Sequence, residues 1–224
     1  MKRDKSSLKE ENQKLREEIE ERKTKFLNNW QNAFLYPDWR KEIFQPGEVL
    51  LDADTAHCNL ILSEDRRCVT WGENPQELPD NPQRFHSLPC VLGQQHFTSG
   101  RHYWEVEVDE SRAWDLGLCR DKIMRQGRVV IKPEDGFWVI RFYKDEYWAL
   151  TAPETKLTLR NRTTRVCIFL EYERGCISFY DMTDHSHIHT FSQCSFSGSL
   201  RPLFRLWSSD SGQLRICPVH INTN

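Results

Sequence analysis

The chain has 224 residues, of which 38% are hydrophobic and 29% charged, with 31 Lys and Arg against 33 Asp and Glu and a formal charge of −2. That balance supplies no broad electrostatic attraction for nucleic acid, and the length suits one domain plus an appendage. No stretch approaches the roughly 18 apolar residues of a membrane span, no secretory signal is recognisable, and Met1 runs straight into Lys2-Arg3-Asp4-Lys5, as expected of a start placed inside a longer protein.

Residues 1 to 27 contain no Gly or Pro and are rich in Glu, Lys, Arg, Gln and Leu, all good helix formers. Placing Leu8 and Leu15 at heptad position d puts Asn12, Ile19 and Phe26 at a. Arg22 and Asn29 fall at the next d positions and weaken the seam. A single Asn at an a position fixes register in parallel dimers, so Leu8, Asn12, Leu15, Ile19 and Phe26 are the expected pairing residues of a coiled-coil stalk. A solvated, partly frayed single helix is the alternative, because so short a helix is marginal by itself.

Residues 31–47 read as a short helical transition. Trp39, Ile43 and Phe44 are too apolar for a free linker, and Pro37 can stop one helix and open another. Pro46-Gly47 marks the turn into a different texture.

From residue 48 to about 219 the chain alternates in short runs. In Arg101-His102-Tyr103-Trp104-Glu105-Val106-Glu107-Val108, Trp104, Val106 and Val108 share one face. Runs at 113–119, 136–142, 147–151, 166–172, 176–180, 187–191, 203–206 and 214–217 read as further strands. Glu173-Arg174-Gly175 reads as a hairpin turn with Gly where positive φ is needed. Many strands without long intervening helices predict an all-β, antiparallel two-sheet sandwich, followed by a tail at 220–224. The eight cysteines are scattered with no C-x-x-C pair, and several sit in apolar runs such as Val166-Cys167-Ile168, as expected of reduced, buried thiols in a reducing compartment.

Several segments carry a family resemblance. Leu51-Asp52-Ala53-Asp54-Thr55-Ala56-His57, Leu60-Ile61-Leu62-Ser63-Glu64-Asp65-Arg66-Arg67, Leu78-Pro79-Asp80-Asn81-Pro82 and Cys90-Val91-Leu92-Gly93 resemble the first half of a PRY-SPRY domain. Ser99-Gly100-Arg101-His102-Tyr103-Trp104-Glu105-Val106, Gly136-Phe137-Trp138, Phe169-Leu170-Glu171-Tyr172-Glu173 and Ile177-Ser178-Phe179-Tyr180 resemble the second. The resemblance implies a concanavalin-like jelly roll whose loops present a binding surface, and it implies no enzyme chemistry and no cofactor. Tripartite-motif ubiquitin ligases and butyrophilins share this domain. Tyr36-Pro37-Asp38-Trp39-Arg40-Lys41-Glu42-Ile43-Phe44-Gln45 resembles the juxtamembrane segment of butyrophilins, which favours the cytosolic tail of a membrane receptor in immune regulation.

Some butyrophilins hold prenyl pyrophosphates in a basic pocket. Carried over position by position, that pocket becomes Leu88, Asp115, Val130, Trp148 and Glu154, with Arg205 alone retained. A pyrophosphate wants several converging cations, so this ligand is not expected unless Arg101, Arg128 and Arg141 compensate.

His185, His187 and His189 recur at every second residue and would share one face of a strand, but their spacing splays the rings, and no metal is expected. No Gly-x-Ser-x-Gly, His-Glu-x-x-His or Gly-rich phosphate loop is present. Trp104 and Trp138 belong to alternating strands and are expected in the core. Trp71, beside Gly72 and Asn74, reads as exposed, and Trp114, Trp148 and Trp207 are further candidates for surface rings, packing at the sandwich edge being the alternative. The expected partner-binding set is Trp71, Arg128, Trp148, Arg205 and Trp207, since exposed Trp and Arg dominate binding hot spots. The expected partners are a cytosolic protein and a second stalk, in a homo- or heterodimer. The alternatives are a pyrophosphate sensor and the substrate-recognition end of a ubiquitin ligase.

Overall fold

A computed structural model describes residues 12–20, 43–108 and 111–218. Residues 12–20 form a helix, as their composition predicts. Leu15 and Ile19, one turn apart, are 50% and 47% exposed, and Gln13 Nε2 donates to Glu17 Oε1 at 2.9 Å. Leu8 and Phe26 of the expected seam, and residues 31–42 of the expected transition, lie outside the described residues.

The body is a two-sheet antiparallel sandwich. Its first sheet runs β12 (His187–Phe191), β11 (Cys176–Asp181), β10 (Arg165–Glu171), β5 (Arg101–Glu107), β14 (Gln213–Ile216), β3 (Cys68–Trp71) and β2 (Leu60–Leu62). The two-residue β1 (Gln45–Pro46) lies parallel beside β5. The second sheet runs β4 (Cys90–Leu92), β13 (Leu200–Leu206), β6 (Trp114–Arg120), β7 (Phe137–Tyr143), β8 (Glu146–Ala149) and β9 (Thr155–Leu157).

Alternation decides which rings enter the space between the sheets. Trp104 and Val106 of β5, Trp114, Leu116 and Leu118 of β6, and Trp138, Ile140 and Phe142 of β7 join one apolar core. Trp104 and Trp138 thus lie where their strands predict. Beyond β10, Phe44 packs edge-on against Phe169 with ring centroids 4.9 Å apart, so one ring of the transition segment does rest on the sandwich.

A second, smaller apolar cluster covers the other face of the six-stranded sheet. Phe85, Cys90, Leu92, Cys119, Phe137, Val139, Leu150 and Leu203 form it, and Leu88, Ile123, Val129, Ile131 and Trp148 lean against it. Arg201 of β13 ties the early and late parts of the chain together. Buried, it donates to Asp52 Oδ2 at 2.6 Å and to the Gly93 carbonyl at 2.9 and 2.7 Å.

The β10–β11 hairpin closes as its sequence predicts. Gly175 sits at φ +61°, and its amide donates to the Tyr172 carbonyl at 3.0 Å. A Cβ at Gly175 would meet the Cys194 carbonyl oxygen at 2.2 Å, so the turn requires glycine for space as well as for φ.

The three histidines do not share one face. His185 has φ +58° and precedes β12. A register shift between Phe179 and Tyr180 then separates the other two. His187 packs on Tyr180 at 5.1 Å, whereas His189 packs on the core residue Phe191 at 4.6 Å. A β-bulge has overridden the simple period of two.

Candidate functional site

The register of the second sheet aligns one residue from each of its six strands in a transverse row. Cys90 of β4 pairs with Arg205 of β13, Arg205 with Asp115 of β6, and Asp115 with Arg141 of β7. Arg141 pairs with Trp148 of β8, and Trp148 with Lys156 of β9. Residues directly opposite across strands share a face. Because Trp114 and Leu116 point into the main core, Asp115 between them points outward, and the row with it.

Asp115 is the hub of the row. It is 0% exposed and accepts four hydrogen bonds. Arg141 grips it with two nitrogens, Nε to Oδ1 at 2.9 Å and Nη2 to Oδ2 at 3.0 Å. Arg205 Nη1 donates to Oδ2 at 3.0 Å and Trp207 Nε1 to Oδ1 at 3.1 Å. Four donors meet the acceptor capacity of a carboxylate, and two flanking cations offset the cost of burying its charge.

Trp207 is clamped by the same groups. The guanidinium carbons of Arg205 and Arg141 lie 3.9 and 4.6 Å from its ring centroid, and Tyr143 stacks on it at 4.7 Å. At the other end of the row Lys156 lies 5.7 Å from the centre of the Trp148 ring and donates to Glu146 at 2.5 Å. That hydrogen bond holds the Glu146 carboxyl below its ordinary pKa. Glu154 reaches to within 3.8 Å of Arg141.

This arrangement favours binding over bond-making. The charges are matched within the site, and Cys90, the thiol in the row, is buried where desolvation pushes its pKa well up and away from thiolate. Among the described residues no group of three or more His, Cys, Asp or Glu is placed to hold a metal ion.

The expected set divides. Trp148, Arg205 and Trp207 come together on one face of the second sheet. Trp71 does not join them: it ends β3 in the other sheet and packs against the main core. Its neighbour Gly72 signalled a turn, yet Trp71 is the last residue of a strand and is half-buried. Trp114 is likewise a core residue. Arg128 is exposed on a loop whose Val129 and Ile131 lean on the same apolar cluster as Trp148, and no contact links it to Asp115 among the described residues. Of the residues considered as compensating cations, Arg101 pairs with Glu171 at 3.3 Å in the other sheet. Arg141 does reach the site, with its fork already filled by Asp115.

Sequence reasoning treated Asp115 as a lost cation and Arg141 as a spare one. The missed signal was a charge inside each of two strand runs, Trp114-Asp115-Leu116 and Ile140-Arg141-Phe142. Buried charges of opposite sign in neighbouring strands ask to be paired.

Comparison with known proteins agrees with this architecture. The model described as the SPRY domain matches residues 101–218, and that described as the SPRY-associated domain matches residues 49–97. Butyrophilin subfamily 1 member A1 of Bos taurus is 50% identical over 181 residues, covering 81% of this chain and 34% of the relative. Zinc finger protein RFP of Homo sapiens is 48% identical over 176 residues, covering 77% and 34%. The chain therefore spans about a third of the length of these curated relatives. Among solved structures, the TRIM65 PSpry domain superposes with a TM-score of 0.70 at 21% identity, covering 84% of this chain and 99% of that one. Stonustoxin superposes with a TM-score of 0.67 at 24% identity, covering 77% and 27%. Both share the fold. With both halves matched in order over the sandwich just described, the chain belongs to the SPRY-domain family and carries the SPRY-associated segment ahead of the SPRY domain.

Proposed function

We propose that the chain is a non-catalytic interaction module that binds a cytosolic protein through the outer face of its six-stranded sheet. The observation that carries this reading is the transverse row, in which Arg141 and Arg205, together with Trp207, saturate Asp115 while Trp148 lies beside Arg141 on the same face. Such a face is rigid, amphipathic and nearly neutral. Its aromatic rings are already held in place, so little side-chain entropy is lost when a partner covers them. A pyrophosphate would have to compete with Asp115 for Arg141 and Arg205, and the reading does not include one.

Pairing of two modules through the stalk is part of the same proposal, with Leu15 and Ile19 as the exposed apolar residues that would meet. Two linked modules gain avidity for a paired partner. The identity to a butyrophilin supports placement on the cytosolic face of a plasma-membrane receptor in immune regulation. The test is quantitative capture of proteins from cytosolic extract by the immobilised chain and by a Trp148→Ala variant that melts at the same temperature. Loss of specific partners supports the assignment, and unchanged capture removes Trp148 from the site.

A further inference from the structure

Two neighbouring loops carry opposite charge. Residues 73–82 hold Glu73, Glu77 and Asp80 and no Lys or Arg, whereas residues 122–132 hold Lys122, Arg125, Arg128 and Lys132. Arg125 is buried beside Asp121 at 3.5 Å and Lys132 pairs with Asp135 at 3.7 Å, so Lys122 and Arg128 are the outward cations of this loop. Glu73, Glu77, Asp80, Lys122 and Arg128 are all exposed.

The segment between these loops fastens them side by side. Arg125 Nη1 donates to the Gln83 carbonyl at 3.0 Å, the His86 amide donates to the Arg125 carbonyl at 3.1 Å, and Ser87 Oγ donates to the Gly127 carbonyl at 2.5 Å. Asp80 lies 4.0 Å from His86, at the boundary between the two patches. The acidic arm is anchored at both ends, by Gln76 Nε2 to the Leu60 carbonyl at 2.7 Å and Asn81 Nδ2 to the Asp54 carbonyl at 3.1 Å. Pro75, Pro79 and Pro82 stiffen it further.

Both loops also display apolar surface. Leu78, Met124 and Val130 are 37%, 67% and 49% exposed, and among the described residues of the sandwich the other large exposed hydrophobics are Ile61 and Tyr143. Apolar side chains set within rigid charged loops are the composition of an interaction face.

An acidic patch beside a basic patch is self-complementary under a two-fold axis passing between them. Each acidic loop then faces the basic loop of the other copy, which is the arrangement of an isologous contact. We infer that this bipolar face is a self-association surface for a second copy of this chain, separate from the stalk, with its basic loop resting on the same apolar cluster as Trp148. A weak contact of this kind becomes effective when something else holds two copies close.

The full chain carrying Leu15→Asp and Ile19→Asp silences the stalk and isolates the sandwich. Sedimentation velocity over a concentration series, at about 0.02 M and about 0.5 M salt, measures its association, because the higher salt cuts electrostatic reach to a few ångströms. Two charge-reversed versions are compared, Glu77→Lys with Asp80→Lys, and Lys122→Glu with Arg128→Glu. The expected result is a salt-sensitive dimer that each version weakens at least tenfold. An equimolar mixture of the two versions regains it, since both contacts of the mixed pair are again between opposite charges. Restoration by mixing also excludes loss through misfolding. A stalk-silenced chain that stays monomeric throughout, association that survives either reversal, or a mixture no better than its components overturns the inference.

Discussion

Arg205 holds two neighbours at once: its guanidinium donates to Asp115 at 3.0 Å while lying 3.9 Å from the centre of the Trp207 ring. The polar hub and the aromatic surface are therefore one mechanical unit. Displacing any member disturbs the others, and energies within the site will not add.

Removing the hub leaves two partly buried cations facing each other. Asp115→Ala is expected to lower stability by about 3–5 kcal/mol, the usual penalty for breaking a buried pair from one side. In an Arg205→Met background the same substitution costs less, because one stranded charge is already gone. Urea denaturation of the four proteins of this double-mutant cycle measures the coupling, and a coupling near zero would show that Arg205 and Asp115 act independently.

Trp148 and Trp207 should differ when truncated. Trp148→Ala removes a half-buried ring that donates to no one in the Asp115 network, so partner affinity falls at least tenfold, about 1.4 kcal/mol or more, with little loss of fold stability. Trp207→Ala removes one of the four donors to Asp115 as well as the ring, and it costs about 1–3 kcal/mol of stability in addition. Paired binding and thermal-melting measurements separate the two cases.

His189 gives the sandwich an acid-sensitive element. Burial, aided by the charge of nearby His187, lowers its pKa to about 4 from 6.5. Below its ordinary value the unfolded chain accepts a proton that the folded ring resists. The stability from the neutral ring is therefore complete above pH 6.5 and is lost as pH falls towards 4. With partial solvent screening the loss is about 1–2 kcal/mol. A His189→Gln variant should show a flatter decline in urea midpoint between those limits, and an unchanged slope would rule His189 out as its source.

Two glycines with similar backbones make a controlled comparison. Gly127 has φ +70° with open space where a Cβ would go, while Gly175 has φ +61° and the Cys194 carbonyl in the way. Gly127→Ala should cost about 1 kcal/mol, the left-handed penalty alone. Gly175→Ala adds a clash that must move the β10–β11 turn, so its loss should exceed about 2 kcal/mol. Equal losses in chemical denaturation would mean that the turn relaxes freely.

The longer strands were readable because their alternation runs far enough to set a period. β12 coincides with the run expected at 187–191, β5, β6, β7, β10 and β11 differ from expectation by a residue or so at their ends, and of β13 only the second half, 203–206, was expected. The strands β2, β3, β4 and β9 have three or four residues each, too few for a period to show. The same limit explains Trp71, whose strand could not be told from the turn beside it. Arg205 and Trp207 were picked out by residue type. Asp115 and Arg141 join them only through register across β13, β6 and β7, a long-range relationship that one sequence does not display.

The Arg201 tie has a consequence for how the molecule may be divided. The SPRY-associated segment supplies β2, β3 and β4, which flank β14 and β13 of the SPRY segment, and Arg201 reaches back to Asp52 and Gly93. The two names thus describe one cooperative body. A polypeptide limited to residues 101–218 would bare hydrogen-bonding edges on both β13 and β14. It would also leave the Arg201 guanidinium with its 3.5 Å contact to Asp121 but without Asp52 and Gly93, conditions that favour intermolecular strand pairing over folding. Such a half-molecule should accumulate in aggregates.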